Sequence, residues 1–445
     1  MPEFKFNPRT YLHFDHPINE AAARALATDA AEVSCHSFYP LIHHVVETVK
    51  VQKKEGGGIQ KSTPKQRRIA YAAHADSHIF GWYSQILSEC YELHLCELGL
   101  QDVVTAFRSL RRREGGRDVA LKNIHFANDV FEDIRRRGPC SVLAMDFSQF
   151  FDRLDHRHLK RAWCRCMGVE TLPADHYAVF KAITKHASVN RVQLREVMGL
   201  DAHDNHSTRR QRICTPAEFR DKVRGGGLVE VNRSRMGIPQ GSPISAVLAN
   251  IYVLEFDEAM KSFADSHGGL YRRYCDDLLL VLPNTEARDE AERLVLEWCT
   301  RLFLQVNDKK TERIDFRMVN SLLTTPKPLQ YLGFTFDGRH KRIRPGSLAR
   351  YCRKMRRGVR RAKAIMRRCA EVPEFPHLPR LRVKQLYIRY SYLGRHNFLS
   401  YAFEAARIMG DGGIKKQVKE HWRRLKEEIR RQERGEAECS YDVEV

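Results

Sequence analysis

The sequence predicts an α+β fold in which helices surround a small hairpin-based sheet. Three observations carry that expectation. SVLAMD (141–146) is a short apolar run that ends on a carboxylate, which reads as a buried strand. LYRRYCDDLLLVLP (270–283) reads as strand, tight turn, strand. Helical spacing of apolar residues fills most of the remaining chain, and no 20–50-residue repeat is present.

Taken in order, residues 1–60 read as a helical N-terminal extension, with NEAAARALATDAAEV as an Ala-rich helix and Gly56, Gly57 and Gly58 breaking the pattern. A basic run follows at 61–68. Apolar residues then recur at helical spacing to about residue 100 (Ile69, Ile79, Trp82, Ile86, Leu87). A second basic run, 108–113, stops at Gly115 and Gly116, and a helix is expected from about 120 to 136. After the strand at 141–146, FFDRLDHRHLKRAWCRCM continues as helix. Residues 185–235 are polar and predict an irregular or hairpin-rich insertion. The segment 237–260 has a turn-rich start and then one long helix, 287–304 is an amphipathic helix, and 329–337 is a last strand pair or an edge strand. Composition shifts at 338–345: between residues 341 and 370 there are 13 Lys or Arg and no acidic residue, and Arg353, Arg357, Arg360, Arg361 and Lys363 recur near helical spacing. Residues 380–434 read as further helix, and the acidic tail AECSYDVEV as mobile.

The charge narrows the function. The chain has 445 residues, 76 Lys or Arg against 55 Asp or Glu, and a formal net charge of +21. Such a charge repels itself unless a polyanion uses it, which points to nucleic acid. A membrane partner is not expected, because no apolar run approaches the roughly 18 residues of a spanning helix and the N-terminus has no apolar signal core. Twelve scattered cysteines without a CxxC pair read as reduced thiols of a cytoplasmic protein. His156, His158, Cys164 and Cys166 form the densest cluster of metal-ligand types, but their spacing suits a half-buried helix better than a zinc site.

Asp146, at the end of one apolar strand, and Asp276 and Asp277, at the tip of a hairpin, are the candidate chemistry. Strand ends of one sheet can bring three carboxylates together, and such hard oxygen donors suit Mg²⁺ or Mn²⁺. Two such ions can activate a 3′-hydroxyl and stabilise a leaving pyrophosphate.

These residues carry a resemblance. YCDD (274–277) resembles the YxDD box of reverse transcriptases, and MDFSQFFD (145–152) their first aspartate motif. GIPQGSPISAVLANIYV (237–253) is similar to the segment between those two. LQVNDKKTE (304–312) and LQYLGF (329–334) resemble the next two blocks, and RRIAYAAHADSHI (67–79) a fingers block. The resemblance runs over about residues 60–340. It implies a right-hand polymerase: a helical extension (1–60), fingers (61–140), an antiparallel-sheet palm (141–338) with the insertion at 185–235, and a basic helical thumb (339–445). It implies Asp146, Asp276 and Asp277 as catalytic metal ligands and Phe151 as the steric gate against a ribose 2′-hydroxyl. Gln240 would pack on the incoming nucleotide, with Gly241 allowing close approach. Arg67 would contact the triphosphate, a role its neighbours Arg68 or Lys65 could also take. Lys310 would neutralise or protonate the pyrophosphate. Arg353, Arg357, Arg360 and Arg361 would track the nucleic-acid backbone. The implied substrates are dNTPs and the implied partners a noncoding RNA template and its RNA–DNA hybrid product. No NAxxH precedes the first aspartate motif, where NIHFAND (123–129) stands, and no VTG occurs, so the retron pattern is incomplete. No HNH-like or RNase H segment is seen. The match is to the stand-alone, class 2 type of bacterial defence-associated reverse transcriptase, related to the retron and group II intron enzymes. A template-dependent RNA polymerase and a catalytically idle RNA-binding scaffold are the rival readings.

Overall fold

The computed structural model describes residues 2–49, 51–53, 59–200, 210–370 and 381–431. The glycines at 56–58, part of the polar stretch (201–209), part of the C-terminal helical region (371–380) and the acidic tail lie outside the described residues.

Two short helices open the fold, α1 (Glu20–Thr28) and α2 (Ala30–Cys35). The Asn19 side chain caps the first by accepting from the Ala22 amide, and Asp29 caps the second by accepting from Ala31 and Glu32. The helical extension stops there. Residues that follow form strands β1 (Leu41–Thr48), β2 (Val51–Lys53), β3 (Ile59–Lys61) and β4 (Lys65–Tyr71), then helix α3 (His74–Glu97). β1 runs antiparallel to β4, with Ile42 opposite Tyr71 and Thr48 opposite Lys65. The reason is local: LIHHVVET is rich in β-branched residues that fit a pleated, half-buried surface. The basic residues at 65–68 therefore lie on strand β4, and their side chains alternate between two faces.

Strands β5 (Arg111–Glu114) and β6 (Arg117–Ala120) form a hairpin that turns on Gly115 and Gly116, both at positive φ. Helix α4 (Asn123–Arg137) and strand β7 (Cys140–Asp146) follow. The helix expected directly after β7 is split: a 3₁₀ turn (Phe150–Arg153), then α5 (His156–Met167) with Asp155 as its cap. The described part of 185–235 is more helical than expected. After α6 (Ala174–Thr184) come β8 (Ala187–Asn190), α7 (Arg191–Val197), α8 (Pro216–Glu218) running into a π-helical turn (Phe219–Gly225), and β9 (Glu230–Val231). β8 pairs parallel to β1, giving a four-stranded sheet in the order β4-β1-β8-β9. Phe14, Ile42, Val189, Leu194, Phe219 and Val223 form its small core, so a few apolar side chains suffice to order this polar stretch.

The expected long helix is two, α9 (Ser245–Tyr252) and α10 (Leu254–Ser266), broken at Val253. Strands β10 (Leu270–Tyr274) and β11 (Asp277–Leu282) form the expected hairpin, and α11 (Thr285–Arg301) the expected amphipathic helix. Next come β12 (Glu312–Val319), β13 (Leu322–Thr324), β14 (Leu329–Tyr331), β15 (Phe334–Phe336) and β16 (Lys341–Ile343). The central sheet has the order β10-β11-β7-β12-β13, and its neighbours are antiparallel. Its pleat sorts the core. Leu278, Leu280 and Leu282 join the cluster with α9, α10 and α11, while Leu279 and Val281 join Phe131 of α4 and Phe336 of β15 on the other face. Burial on both faces explains why SVLAMD and DLLLVL are continuous apolar runs.

The C-terminal part is helical, as expected: α12 (Pro345–Ala370), α13 (Val383–Tyr390), α14 (Phe398–Met409), α15 (Gly412–Val418) and α16 (His421–Arg430). Met355 and Val359 of α12 pack on Leu386, Tyr390 and Leu425. Lys341 belongs to the basic run but is fully buried, and its ammonium bonds Asn128 Oδ1 (2.6 Å), the Met409 carbonyl (3.2 Å) and Glu132. It joins α4 to the base of the helical region.

Candidate active site

β7 ends at Asp146, and the register places Asp277 of β11 directly opposite it. Asp276 sits beside them in the two-residue turn between β10 and β11. Main-chain bonds fix the three: the Phe147 amide donates to the Asp276 carbonyl (2.9 Å) and the Asn307 amide to the Asp146 carbonyl (2.8 Å). Each aspartate offers one oxygen, and these oxygens lie within 4.8 Å of one another. Among the described residues this is the one group of three that could hold a metal ion.

The electrostatics fit a cation. Burial, reinforced by the Asp276 and Asp146 carboxylates, pushes Asp277 up to about 7. Three hard oxygen donors that repel one another and lie at the end of a rigid sheet are a donor set suited to Mg²⁺ or Mn²⁺. Lys310 Nζ reaches Asp146 Oδ2 at 2.5 Å. Burial, with Lys310 and Arg67 close by, holds the Lys65 ammonium below its ordinary range, against the opposing pull of Asp146 and Asp276. Lys65 and Lys310 thus form a positive rim near the carboxylates, with Arg67 beside Lys65 on the same face of β4. Arg68 points to the other face of β4, where it bonds Glu230 (2.7 Å), Ser188 (2.9 Å) and His43 (3.0 Å). Of the two neighbours of Arg67 weighed from sequence, Lys65 shares its face and Arg68 does not.

Phe150 and Phe151 differ. Phe150 is buried and stacks on Phe147 at 5.3 Å. Phe151 is half-buried, and its carbonyl accepts from the Ile238 amide at 2.9 Å. Two residues on, the Gln240 carbonyl accepts from the Ala70 amide at 2.8 Å. Gly241 has φ +110°, and a Cβ there would lie 2.5 Å from the Ala70 carbonyl oxygen, so no side chain fits. The turn therefore docks on the inner end of β4 and brings Phe151 and Gln240 beside the strand that carries Arg67.

Arg353, Arg357, Arg360 and Arg361 of α12 are exposed, and no hydrogen bond or ion pair among the described residues connects them to the carboxylates. Arg353, Arg357 and Arg361 follow one another at four-residue spacing. Arg360 does not join them: its Nε lies 3.9 Å from Glu428 of α16, beside Arg356 at 4.0 Å. The His and Cys cluster is satisfied by main chain, as the helix reading expects. His156 bonds the Gly237 carbonyl (2.8 Å), His158 the Tyr252 carbonyl (3.1 Å), and Cys166 the Leu87 carbonyl.

Sequence reasoning missed a buried ion pair behind the hairpin, Arg273 with Asp257. The available signal was an arginine inside an otherwise apolar strand.

Comparison with known proteins agrees with this geometry. The family model "reverse transcriptase (RNA-dependent DNA polymerase)" matches residues 100–336, more than half of the chain. Over 74 residues the chain is 34% identical to the retron Ec86 reverse transcriptase of Escherichia coli, covering 17% of this chain and 23% of that protein. Among solved structures it is similar to apo telomerase from Candida tropicalis (TM-score 0.44, 10% identity, 93% of this chain and 64% of that one). It is also similar to telomerase from Candida albicans in complex with a fragment of telomeric RNA (TM-score 0.40, 12% identity, 95% and 65%). The chain thus spans about a quarter of the curated relative and under two thirds of each of these structures. With the family match running from before the first aspartate, through the YCDD hairpin, to the end of β15, the chain belongs to the reverse transcriptase family.

Proposed function

We propose that this chain is an RNA-directed DNA polymerase that copies a noncoding RNA into complementary DNA in the cytoplasm, as part of defence against phage. The observation that carries the polymerase reading is the convergence of Asp146, Asp276 and Asp277 at the end of one sheet, near a rim of Lys65 and Lys310 with Arg67 beside Lys65. In this reading the carboxylates hold Mg²⁺ or Mn²⁺, which when bound supply activation of the primer 3′-hydroxyl and charge stabilisation of the pyrophosphate. Lys65 and Arg67 bind the triphosphate, and Lys310 neutralises the leaving pyrophosphate or delivers a proton to it. Phe151 bars the 2′-hydroxyl, and Gln240 packs on the incoming nucleotide. The central sheet with α9–α11 is the palm, α12–α16 the thumb, and the sheet of β4-β1-β8-β9 with α3 the fingers, a division that moves β1 out of the expected N-terminal extension and β8 and β9 out of the expected palm insertion. Arg353, Arg357 and Arg361 hold the hybrid by its phosphates without reading sequence. No described helix is long and apolar enough to cross a membrane.

The defence class rests on the sequence resemblance alone. The identity with a retron enzyme favours a retron-type enzyme as the second reading. One experiment separates the readings. The protein is isolated from its host, and the RNA and DNA that accompany it are sequenced, beside an Asp276→Asn/Asp277→Asn variant. A dominant short RNA with complementary DNA that disappears in the variant supports the proposal. DNA covalently joined to its RNA favours the retron-type reading. In vitro, the variant should lose about 10³-fold or more of dNTP incorporation and bind RNA within about twofold of the parent. A variant that still polymerises removes the assignment.

A further inference from the structure

Strand β10 carries a charge where the pleat calls for an apolar side chain. Arg273 faces the core and is fully buried, as is Asp257 of α10. The guanidinium uses four of its five N–H donors: Nε bonds Asp257 Oδ1 (2.7 Å), Nη2 bonds Asp257 Oδ2 (2.6 Å), and Nη1 bonds both Asn250 Oδ1 and the Cys275 carbonyl (3.1 Å each). The Tyr271 hydroxyl donates to Asp257 Oδ1 at 2.8 Å. Buried pairs of this kind seldom outperform apolar packing of the same volume, so stability is a poor reason for its presence.

The network also grips the residue that turns the hairpin. Cys275 has φ +59°, a left-handed conformation that a non-glycine residue adopts only when its surroundings enforce it. The Cys275 carbonyl lies in the same peptide plane as the Asp276 amide. Holding that carbonyl sets the plane from which Asp276 departs, and the Phe147 amide holds the Asp276 carbonyl on the far side. The arm of the clamp is itself anchored. The Arg273 amide donates to the Val103 carbonyl (2.9 Å), and its carbonyl accepts from the Thr105 amide (3.0 Å).

We infer that Arg273, oriented by Asp257 and Asn250, is a positioning residue that sets the Asp276 carboxylate for cation binding by holding the Cys275 carbonyl. The inference rests on the reading of the three aspartates as a metal site.

The test uses the full chain with Arg273→Lys, Arg273→Met/Asp257→Leu and Asp276→Asn. Lysine keeps the charge beside Asp257 but cannot reach two carboxylate oxygens, Asn250 and the Cys275 carbonyl from one nitrogen. The double variant replaces the pair by apolar groups and leaves no orphaned charge. Mn²⁺ binding is read by electron paramagnetic resonance, and the order of the turn by amide hydrogen exchange in the peptide over residues 272–279. Both variants should bind Mn²⁺ about 10- to 100-fold more weakly. The amides of the turn should exchange at least about tenfold faster, while affinity for an RNA–DNA hybrid stays within about twofold. Should Arg273→Lys fail to fold, the double variant carries the same comparison. Turn exchange and Mn²⁺ affinity equal to the parent in a folded variant overturn the inference. Equal Mn²⁺ binding by the parent and Asp276→Asn overturns the metal reading instead, and the exchange data then judge the clamp by themselves.

Discussion

Phe150 and Phe151 are neighbours of one type with different environments, and the difference is measurable. Phe150 is buried against Phe147, so Phe150→Ala should cost about 3–5 kcal/mol of stability by leaving a cavity. It should leave the choice between dNTP and rNTP untouched in any molecule that folds. Phe151 is half-buried beside the turn that contains Gln240. Phe151→Ala should cost less stability and raise the use of rNTP relative to dNTP by about 10- to 200-fold, the worth of one apolar contact at a binding site. Competition assays with both nucleotide classes check this, and an unchanged ratio removes the gate. Arg67 and Arg68 form a parallel pair. Arg67→Ala should raise the KM for dNTP, because its side chain shares a face of β4 with Lys65, which belongs to the rim near the carboxylates. Arg68→Ala should leave that KM near the parent value, and the loss of its half-exposed ion pair with Glu230 should cost at most about 1 kcal/mol. Nucleotide titrations of the two variants give opposite results if β4 presents its faces as described.

Helix α12 shows how far a pattern of charge can be trusted. The run of 13 Lys or Arg over 341–370 that contains it includes Lys341, which is buried as a joint before the helix begins, and Arg360, which faces Glu428. Arg353, Arg357 and Arg361 remain as an exposed row. Reversing these three to Glu should weaken hybrid binding and lower the slope of log K against log salt by about 2–3. Arg360→Glu should instead place like charge beside Glu428 and lower the melting temperature. Equal salt slopes in the parent and the triple variant would mean that the row does not meet phosphates. Gly358 on the same helix lies under the Tyr390 ring, where a Cβ would come within 2.1 Å of the hydroxyl oxygen. Gly358→Ala should therefore destabilise by about 1–3 kcal/mol through overpacking, although alanine is the better helix former. What was legible in the sequence follows the same logic. β7 and β11 are buried on both faces, so their apolar runs announced them, and the aspartates at their ends announced the site. β1 is buried only over Leu41, Ile42 and His43, and its pairing with β4 spans from 17 residues (Thr48 with Lys65) to 29 (Ile42 with Tyr71), so its β-branched residues were the one local sign of a strand. The described residues between 185 and 235 take their order from Phe14 and Ile42, which lie far back in the chain. Asp257 and Arg273 meet only once α10 lies on the sheet, and no spacing in the sequence predicts that.

Among the described residues, nine histidines are held below their ordinary range by burial: His13, His43, His44, His74, His78, His156, His158, His176 and His186. His13 falls to about 3 and His43 to about 4. Many of them sit at joints. His13 packs on Phe14 and Tyr71, His43 bonds Arg68, His156 holds the Gly237 carbonyl, His158 the Tyr252 carbonyl, and His176 accepts from the Trp163 indole. The sign of the linkage is definite. In the unfolded chain these rings take up protons near pH 6.5, whereas in the folded chain they remain neutral until a lower pH. Folding therefore releases protons below pH 6.5, and stability falls as pH drops from about 6.5 toward 4. Asp76, Asp152 and Asp277, whose values burial raises, work in the opposite sense, because each is a cost that grows as pH rises. The histidines act together in the window where unfolded imidazole takes up its proton, so the melting temperature should decline as pH falls from 6.5 to 4.5. Divalent cation should act in the other window. If the three aspartates hold it, Mg²⁺ should raise the melting temperature more at pH 8 than at pH 5.5, since protonation of Asp277 competes with the metal. Calorimetric scans across this range, with and without Mg²⁺, check both statements. A melting temperature that stays flat or rises toward pH 4.5 would contradict the buried neutral histidines. A Mg²⁺ effect independent of pH would place the ion on groups other than Asp277.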